Sequence, residues 1–256
     1  MDGKRVILAA HRGDRAAYPE NTMSAFRSAN ALGCEMIETD IRMTRDGELV
    51  LIHDRSTLRT SGIDKNVDEL TLSELSEIDL GAGERVPTVR EFAEFLQTNG
   101  MLVNWELKIY PKDFGDDYAF LVADKLIELI EEYGLEGRSM LNSFSNRVLE
   151  YLYKKAPKKY PIHGQGIYKC RRANDEANIP ETELFDWCCL YPEEKDKIVV
   201  DYPESFEYCK QNGIIPCICI KDEYETYKLA IEYGCRMFTS NDIRKADEIL
   251  RSLGVR

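Results

Sequence analysis

The sequence predicts an α/β fold, a (β/α)8 TIM barrel, carried as one domain over residues 1–256 with residues 54–87 as a small insertion on one rim. Three observations predict it. Short β-rich runs alternate with longer helical patterns almost from end to end, as βα units around a parallel sheet require. The chain has 256 residues, close to the roughly 250 typical of such a barrel. Nine strand-like runs occur, and one of them is linked too tightly to its predecessor to belong to the ring, which leaves eight.

The elements follow in order. Residues 6–10 are five apolar residues that run into His11 and Arg12, a short buried strand. Asn21 is expected to cap a helix over 22–32, with Gly33 just past its end. The second strand is 36–41. The next run, 49–53, follows after only "RMTRDGE". A parallel crossover needs a dozen residues or more, and Asp46-Gly47 is a hairpin signal. Residues 49–53 therefore form a hairpin arm on the second strand. The segment 54–87 holds the capping-like "TLSEL" and closes at Pro87, and it is expected to cover part of one rim. Helices are then expected at 89–98, 118–133, 146–155, 204–211 and 223–233, with a short one after Arg171. Strands are expected at 102–108, 139–142, 161–165, 187–190, 216–220 and 237–240.

Composition sets limits on function. Lys and Arg number 34 against 46 Asp and Glu, a net charge of −12. Such a chain is a poor partner for a nucleic-acid backbone. An anionic substrate would need a local positive patch or a metal to offset the field. The apolar run at 6–10 is too short for a signal-peptide core, and no run approaches the roughly 20 residues of a membrane span. A cytoplasmic protein without stable membrane insertion is expected, its eight cysteines reduced. No C-x-x-C is present. Cys217 and Cys219 share a strand face, where a soft-metal site competes with the plainer reading as buried small hydrophobes. With no histidine nearby in sequence, the plainer reading is preferred.

Chemistry concentrates at three strand ends. In "MIETDIRM" the strand period of two puts Glu38 and Asp40 on one side. Inside a core they would repel and lose hydration unless a cation joined them. Alternatively they face solvent, or pair with Arg42 or Arg45. In "LVNWELKIY" Glu106 and Lys108 repeat the spacing, and an ordinary ion pair at a strand end explains them equally well in isolation. In "LVLIHDRS" the arm ends at His53-Asp54. His163, in "YPIHGQG", has no charged neighbour in sequence and reads as structural. The shared placement at the C-terminal ends of strands, where (β/α)8 enzymes build their sites, favours function. Three carboxylates suit one hard divalent cation, Mg²⁺ or Ca²⁺. Two histidines supply an acid–base pair near neutral pH. Arg12 and Lys108 would stabilise charge on phosphate oxygens. Together these are the parts of a metal-assisted phosphodiesterase.

With these residues assembled, the sequence resembles the glycerophosphodiester phosphodiesterase family. The match runs through "HRG" (11–13), "PENT" (19–22), "ALGCEMIETDI" (31–41), "RDGELVLIHD" (45–54), "VPTVREF" (86–92) and "WELK" (105–108), with a weaker echo in "NSF" (142–144). The resemblance implies a TIM barrel that hydrolyses glycerophosphodiesters to sn-glycerol 3-phosphate and an alcohol with a divalent cation. It implies Glu38, Asp40 and Glu106 as metal ligands, His11 and His53 as the acid–base pair, and Arg12 and Lys108 on the phosphate. His53 is preferred as base and His11 as acid; attack by water or by the glycerol 2-hydroxyl both remain open. Where the family often has Trp-Thr-x-Asn on the seventh strand, this chain has Ile218-Cys219-Ile220-Lys221, and the usual Thr-Asp is shifted to "TSND" (239–242). Loss of an aromatic wall and gain of a cation are expected there. Two alternatives remain: a lysophospholipase D or sphingomyelinase D-like enzyme on membrane lipids, and a non-catalytic phosphodiester-binding barrel. The charged insertion "GIDKNVDEL" speaks against the first.

Overall fold

A computed structural model describes residues 5–192, 194, 196–219 and 221–256. Nine strands form one sheet: β1 (Ile7–His11), β2 (Met36–Met43), β3 (Leu49–Leu51), β4 (Leu102–Leu107), β5 (Ser139–Asn142), β6 (Ile162–Gln165), β7 (Trp187–Leu190), β8 (Ile215–Cys219) and β9 (Met237–Ser240). The order is β1-β9-β8-β7-β6-β5-β4-β2-β3, and a further β1–β2 pairing closes eight of them into a ring. Every pairing around that ring is parallel, while β3 runs antiparallel to β2. The molecule is a (β/α)8 barrel with one added hairpin arm.

Alternation along each strand divides the core in two. Ile7 and Ala9 of β1 point into the ring, where they meet Met36, Met140, Cys189, Cys217 and Met237. Leu8 and Ala10 point outward and pack with Phe26, Phe92, Trp105, Leu126 and Leu250 beneath the helices. The outer layer is built from Met23–Ala31, Val89–Gln97, Asp116–Glu132, Asn146–Lys155, Pro203–Gln211, Tyr224–Glu232 and Ile243–Ser252. Between β6 and β7 only short turns of helix occur, Tyr168–Cys170 and Glu181–Leu184. That stretch, rich in Arg, Asn, Asp and Glu, offers no apolar stripe on which a longer helix could dock. No helix among the described residues is long and apolar enough to cross a membrane.

Two expectations are corrected. The first helix is capped by Thr22, whose side chain accepts from the Ala25 amide, and not by Asn21. Asn21 has φ 55°, a left-handed conformation that removes it from the extended geometry of an N-cap. The last helix, Ile243–Ser252, had not been expected. It buries Ile243, Ala246 and Leu250, and Asp242 caps it by accepting from the Lys245 amide. β8, the seventh strand of the ring, is described over Ile215–Cys219, and Ile220, expected as its last residue, lies outside the described residues.

The hairpin arm has a positional consequence. β2 pairs with β4 only as far as Ile41 opposite Leu107, then continues through Arg42 and Met43. β3 starts opposite Met43 and runs back down the barrel. By Ile52, whose amide donates to the Asp40 carbonyl (3.0 Å), the chain has returned to the level of the ring's mouth. His53 thus reaches the C-terminal face although its strand points the other way. Residues 54–87 then form Leu58–Ser61, Val67–Glu69 and Leu72–Ser76, the last with a capping box between Thr71 and Glu74. They share a small apolar cluster of Val67, Leu75, Ile78, Leu80 and Val86 with Val50 and Ile52 of the arm.

Candidate active site

Parallel register brings the carboxylates together. Asp40 lies beside Glu106 across the β2–β4 pairing, and His11 lies beside Glu38 across β1–β2. Glu38, Asp40 and Glu106 each place one oxygen so that all three atoms are within 4.8 Å of one another, and all three residues are buried. Both Glu38 oxygens and Asp40 Oδ1 lack hydrogen-bond partners. Burial and the neighbouring carboxylates push the Glu38 carboxyl well above its ordinary range. Burial also raises Glu106, partly offset by Lys108. For Asp40 burial acts the same way, but Lys108 and Arg12 outweigh it and hold the carboxyl below the usual range. Orphaned buried oxygens of this kind carry a desolvation cost that a divalent cation would remove. The donor set, oxygen only, fits a hard cation.

The two cations are tied into this cluster. Arg12, at φ 60°, donates its amide to the Glu38 carbonyl (2.8 Å). Its guanidinium donates to Glu20 Oε1 (2.9 Å) and lies 3.1 Å from Asp40 Oδ2. Lys108 hydrogen-bonds Glu106 and lies 3.3 Å from Asp40 Oδ1. Burial alone would lower the Lys108 ammonium, yet Glu106 and Asp40 hold it above the ordinary lysine value. The ion-pair reading of Glu106 and Lys108 and the site reading are therefore compatible. Arg42 and Arg45 do not join them: Arg42 Nε donates to the His53 carbonyl (2.9 Å) and Arg45 pairs with Glu74 (3.0 Å).

Each histidine is anchored through Nδ1. His11 Nδ1 donates to Asn241 Oδ1 (2.6 Å), which leaves Nε2 free, 3.7 Å from Glu38 Oε2. Burial, with help from Arg12, lowers the His11 ring to about 4. His53 Nδ1 donates to Asp54 Oδ1 (2.6 Å), and Asp54 is itself held by Arg59 (2.5 Å). Burial lowers His53 too, with Asp40 opposing. Fixing Nδ1 sets the tautomer and presents Nε2 for proton transfer.

Six of the seven sequence-derived residues, all but the fully buried Asp40, line one cavity of about 180 Å³ at the mouth of the barrel. Other parts of the site escaped sequence reasoning. Asn21 Nδ2 donates to Asp40 Oδ2 (2.8 Å), and Asn241 orients His11. The "PENT" and "TSND" runs contained both, but neither asparagine's partner is near it in sequence. The aromatic wall expected to be missing is supplied elsewhere, by Phe144 after β5 and Tyr191 after β7. Cys219 lines the cavity, whereas Lys221 pairs with Glu223 (3.3 Å) and is no part of the wall, so no cation is gained there. His163 also lines the cavity, with Asn104 and Cys217 as its partners.

Comparison with known proteins bears on the family and the fold. Residues 11–197 match the family model for the glycerophosphoryl diester phosphodiesterase family. A glycerophosphodiester phosphodiesterase of Caldanaerobacter subterraneus subsp. tengcongensis is 32% identical over 262 aligned positions, covering 98% of this chain and all (100%) of the relative. Among solved structures, a glycerophosphodiester phosphodiesterase of Parabacteroides distasonis superposes with a TM-score of 0.80 at 20% identity, covering 98% of this chain and 99% of the other. A phosphodiesterase of Oleispira antarctica in complex with the product sn-glycerol-3-phosphate superposes with a TM-score of 0.78 at 19% identity, covering 96% of each chain. With the family model spanning most of the barrel and one relative matched over its whole length, this chain belongs to the glycerophosphoryl diester phosphodiesterase family.

Proposed function

We propose that this chain hydrolyses glycerophosphodiesters of small alcohols to sn-glycerol 3-phosphate and the free alcohol, acting in the cytoplasm with one bound Mg²⁺ or Ca²⁺. The observation that carries the reading is the meeting of three buried carboxylates, two of which, Glu38 and Asp40, bear oxygens without hydrogen-bond partners, with two imidazoles anchored through Nδ1, at the mouth of the barrel. Glu38, Asp40 and Glu106 hold the cation, which supplies charge neutralisation at the phosphate oxygens when bound. Arg12 and Lys108 face the same oxygens and stabilise the charge that grows on them. One imidazole takes the proton of the attacking hydroxyl or water at Nε2, and the other delivers a proton to the departing alkoxide. Phe144 and Tyr191 form the wall against which the alcohol group packs.

The test is a panel of glycerophosphodiesters assayed with and without chelator. Release of sn-glycerol 3-phosphate that stops with EDTA and returns with Mg²⁺ or Ca²⁺ is expected. His11→Ala and His53→Ala, each folded by circular dichroism, should lose about 10²–10⁴-fold in turnover. Near-normal turnover in either overturns the acid–base pair, and phosphodiester binding without any hydrolysis favours the non-catalytic barrel. Exposure of Leu58 and Ile63 in the rim segment supports one second reading, a lysophospholipid substrate. Co-sedimentation with liposomes separates it from a soluble diester.

A further inference from the structure

The barrel interior beneath the carboxylates is rich in sulfur. Met36, Met140, Met237, Cys189 and Cys217 share one buried cluster inside the ring, and Cys219 packs against it. Within it, a ring nitrogen of His163 and the Sγ atoms of Cys189 and Cys217 all lie within 4.8 Å of one another. Three consecutive strands supply them. β7 and β8 pair Cys189 directly with Cys217, and His163 comes from the adjoining β6. His163 Nε2 is 3.1 Å from Cys217 Sγ.

Packing alone leaves one feature unexplained. Asn104 Nδ2 donates to His163 Nδ1 (2.9 Å), but Asn104 Oδ1 is buried without a partner, in a residue only 1% exposed. A buried amide oxygen in that state carries an uncompensated desolvation cost. If the amide turns end for end, Oδ1 accepts a proton carried on His163 Nδ1, and Nε2 becomes a bare lone pair beside the two thiols. That is how a metal-bound histidine is held, its second nitrogen donating to a carbonyl oxygen.

We propose that His163, Cys189 and Cys217 form a site for one thiophilic divalent cation of the Zn²⁺ or Cd²⁺ class, distinct from the carboxylate site above it. Nitrogen and sulfur donors select such ions, whereas the oxygen-only triad selects hard ones. Two thiols give up their protons to solvent as they bind, so that two thiolates cancel the charge of a divalent ion and the buried site stays neutral. Cys219, which contacts Cys189 and lines the cavity, is placed for the fourth position. His163 and Cys219 both form cavity wall, so the ion enters through the active site. The barrel then carries two cation sites of opposite character, stacked along its axis.

The test is spectroscopic and independent of turnover. Cd²⁺ is titrated into the full chain with Mg²⁺ saturating and a phosphine reductant present, and the thiolate-to-cadmium charge-transfer absorption is followed; oxygen ligands give no such band. The band is expected to saturate at one equivalent, to vanish in Cys189→Ala/Cys217→Ala, and to need about 10–100-fold more Cd²⁺ in His163→Gln. Absence of the band in the wild-type protein, or an undiminished band in the double variant, overturns the site. If the double variant does not fold, Cys217→Ser, checked by its melting curve, gives the same decision. Failure here leaves the carboxylate site untouched, because that site is read by chelator-sensitive hydrolysis measured without cadmium.

Discussion

Glu20 does no chemistry in the proposed reaction, yet three guanidinium groups converge on it: Arg12 (2.9 Å), Arg15 (2.7 Å) and Arg59 (2.6 Å). Burial alone would raise its carboxyl, but the hydrogen bond from Arg59 and the charges of Arg12 and Arg15 prevail and hold it at about 2. A depressed acid adds stability that is complete above its unfolded value, near 4.5, and is lost as pH falls through about 2. Glu20→Gln should therefore unfold more easily in urea by about 1–3 kcal/mol at pH 7, and the gap should close between pH 4.5 and 2. Asn241 makes the shorter of the two contacts to His11 Nδ1, 2.6 Å against 3.4 Å from Arg15. Asn241→Ala should lower kcat about tenfold or more with a smaller change in KM, because a freed ring loses its orientation and not the substrate's contacts. Asn241 and Asn21 also mark the limit of sequence reading at this scale. Strand periodicity put Glu38 and Asp40, and likewise Glu106 and Lys108, on shared faces. The partners of Asn21 and Asn241 lie 19 and 230 positions away, which no local pattern encodes.

Among the elements, all nine strands could be read from β-rich runs between turn signals. The tight link before the third of them separated ring from arm. The final helix was missed although Ile243, Ala246 and Leu250 are spaced for one buried stripe and Asp242 stands ready as its cap; strong charge along 243–252 masked the pattern. The turn after β1 shows what an element boundary demands. Gly13 has φ +79°, and a Cβ there would sit 2.8 Å from the carbonyl carbon and the Cβ of Ala25. Gly13→Ala should push the first helix off β1 and cost about 1–3 kcal/mol from backbone strain alone, with overlap adding to it. Differential scanning calorimetry reads the loss. Turnover should fall with it, since Arg12 stands next to Gly13 in the same turn.

For the whole molecule, a net charge of −12 surrounds a site whose three acids repel one another. A hard cation that binds only the folded barrel adds RT ln(1 + [L]/Kd), about 2.7 kcal/mol at a hundred times Kd. Mg²⁺ or Ca²⁺ should thus raise Tm, and Glu38→Gln should shrink that rise even though it relieves repulsion in the empty site. An unchanged shift in the variant would move the ion away from Glu38. The overshoot of β2 beyond β4 has one more consequence. His11 is built into a closed hoop, but His53 hangs from a cantilever that leaves the hoop and folds back. The distance between the two rings can therefore drift with the length of that overhang while the hoop stays shut. Sister enzymes that accept bulkier diesters are expected to differ there first.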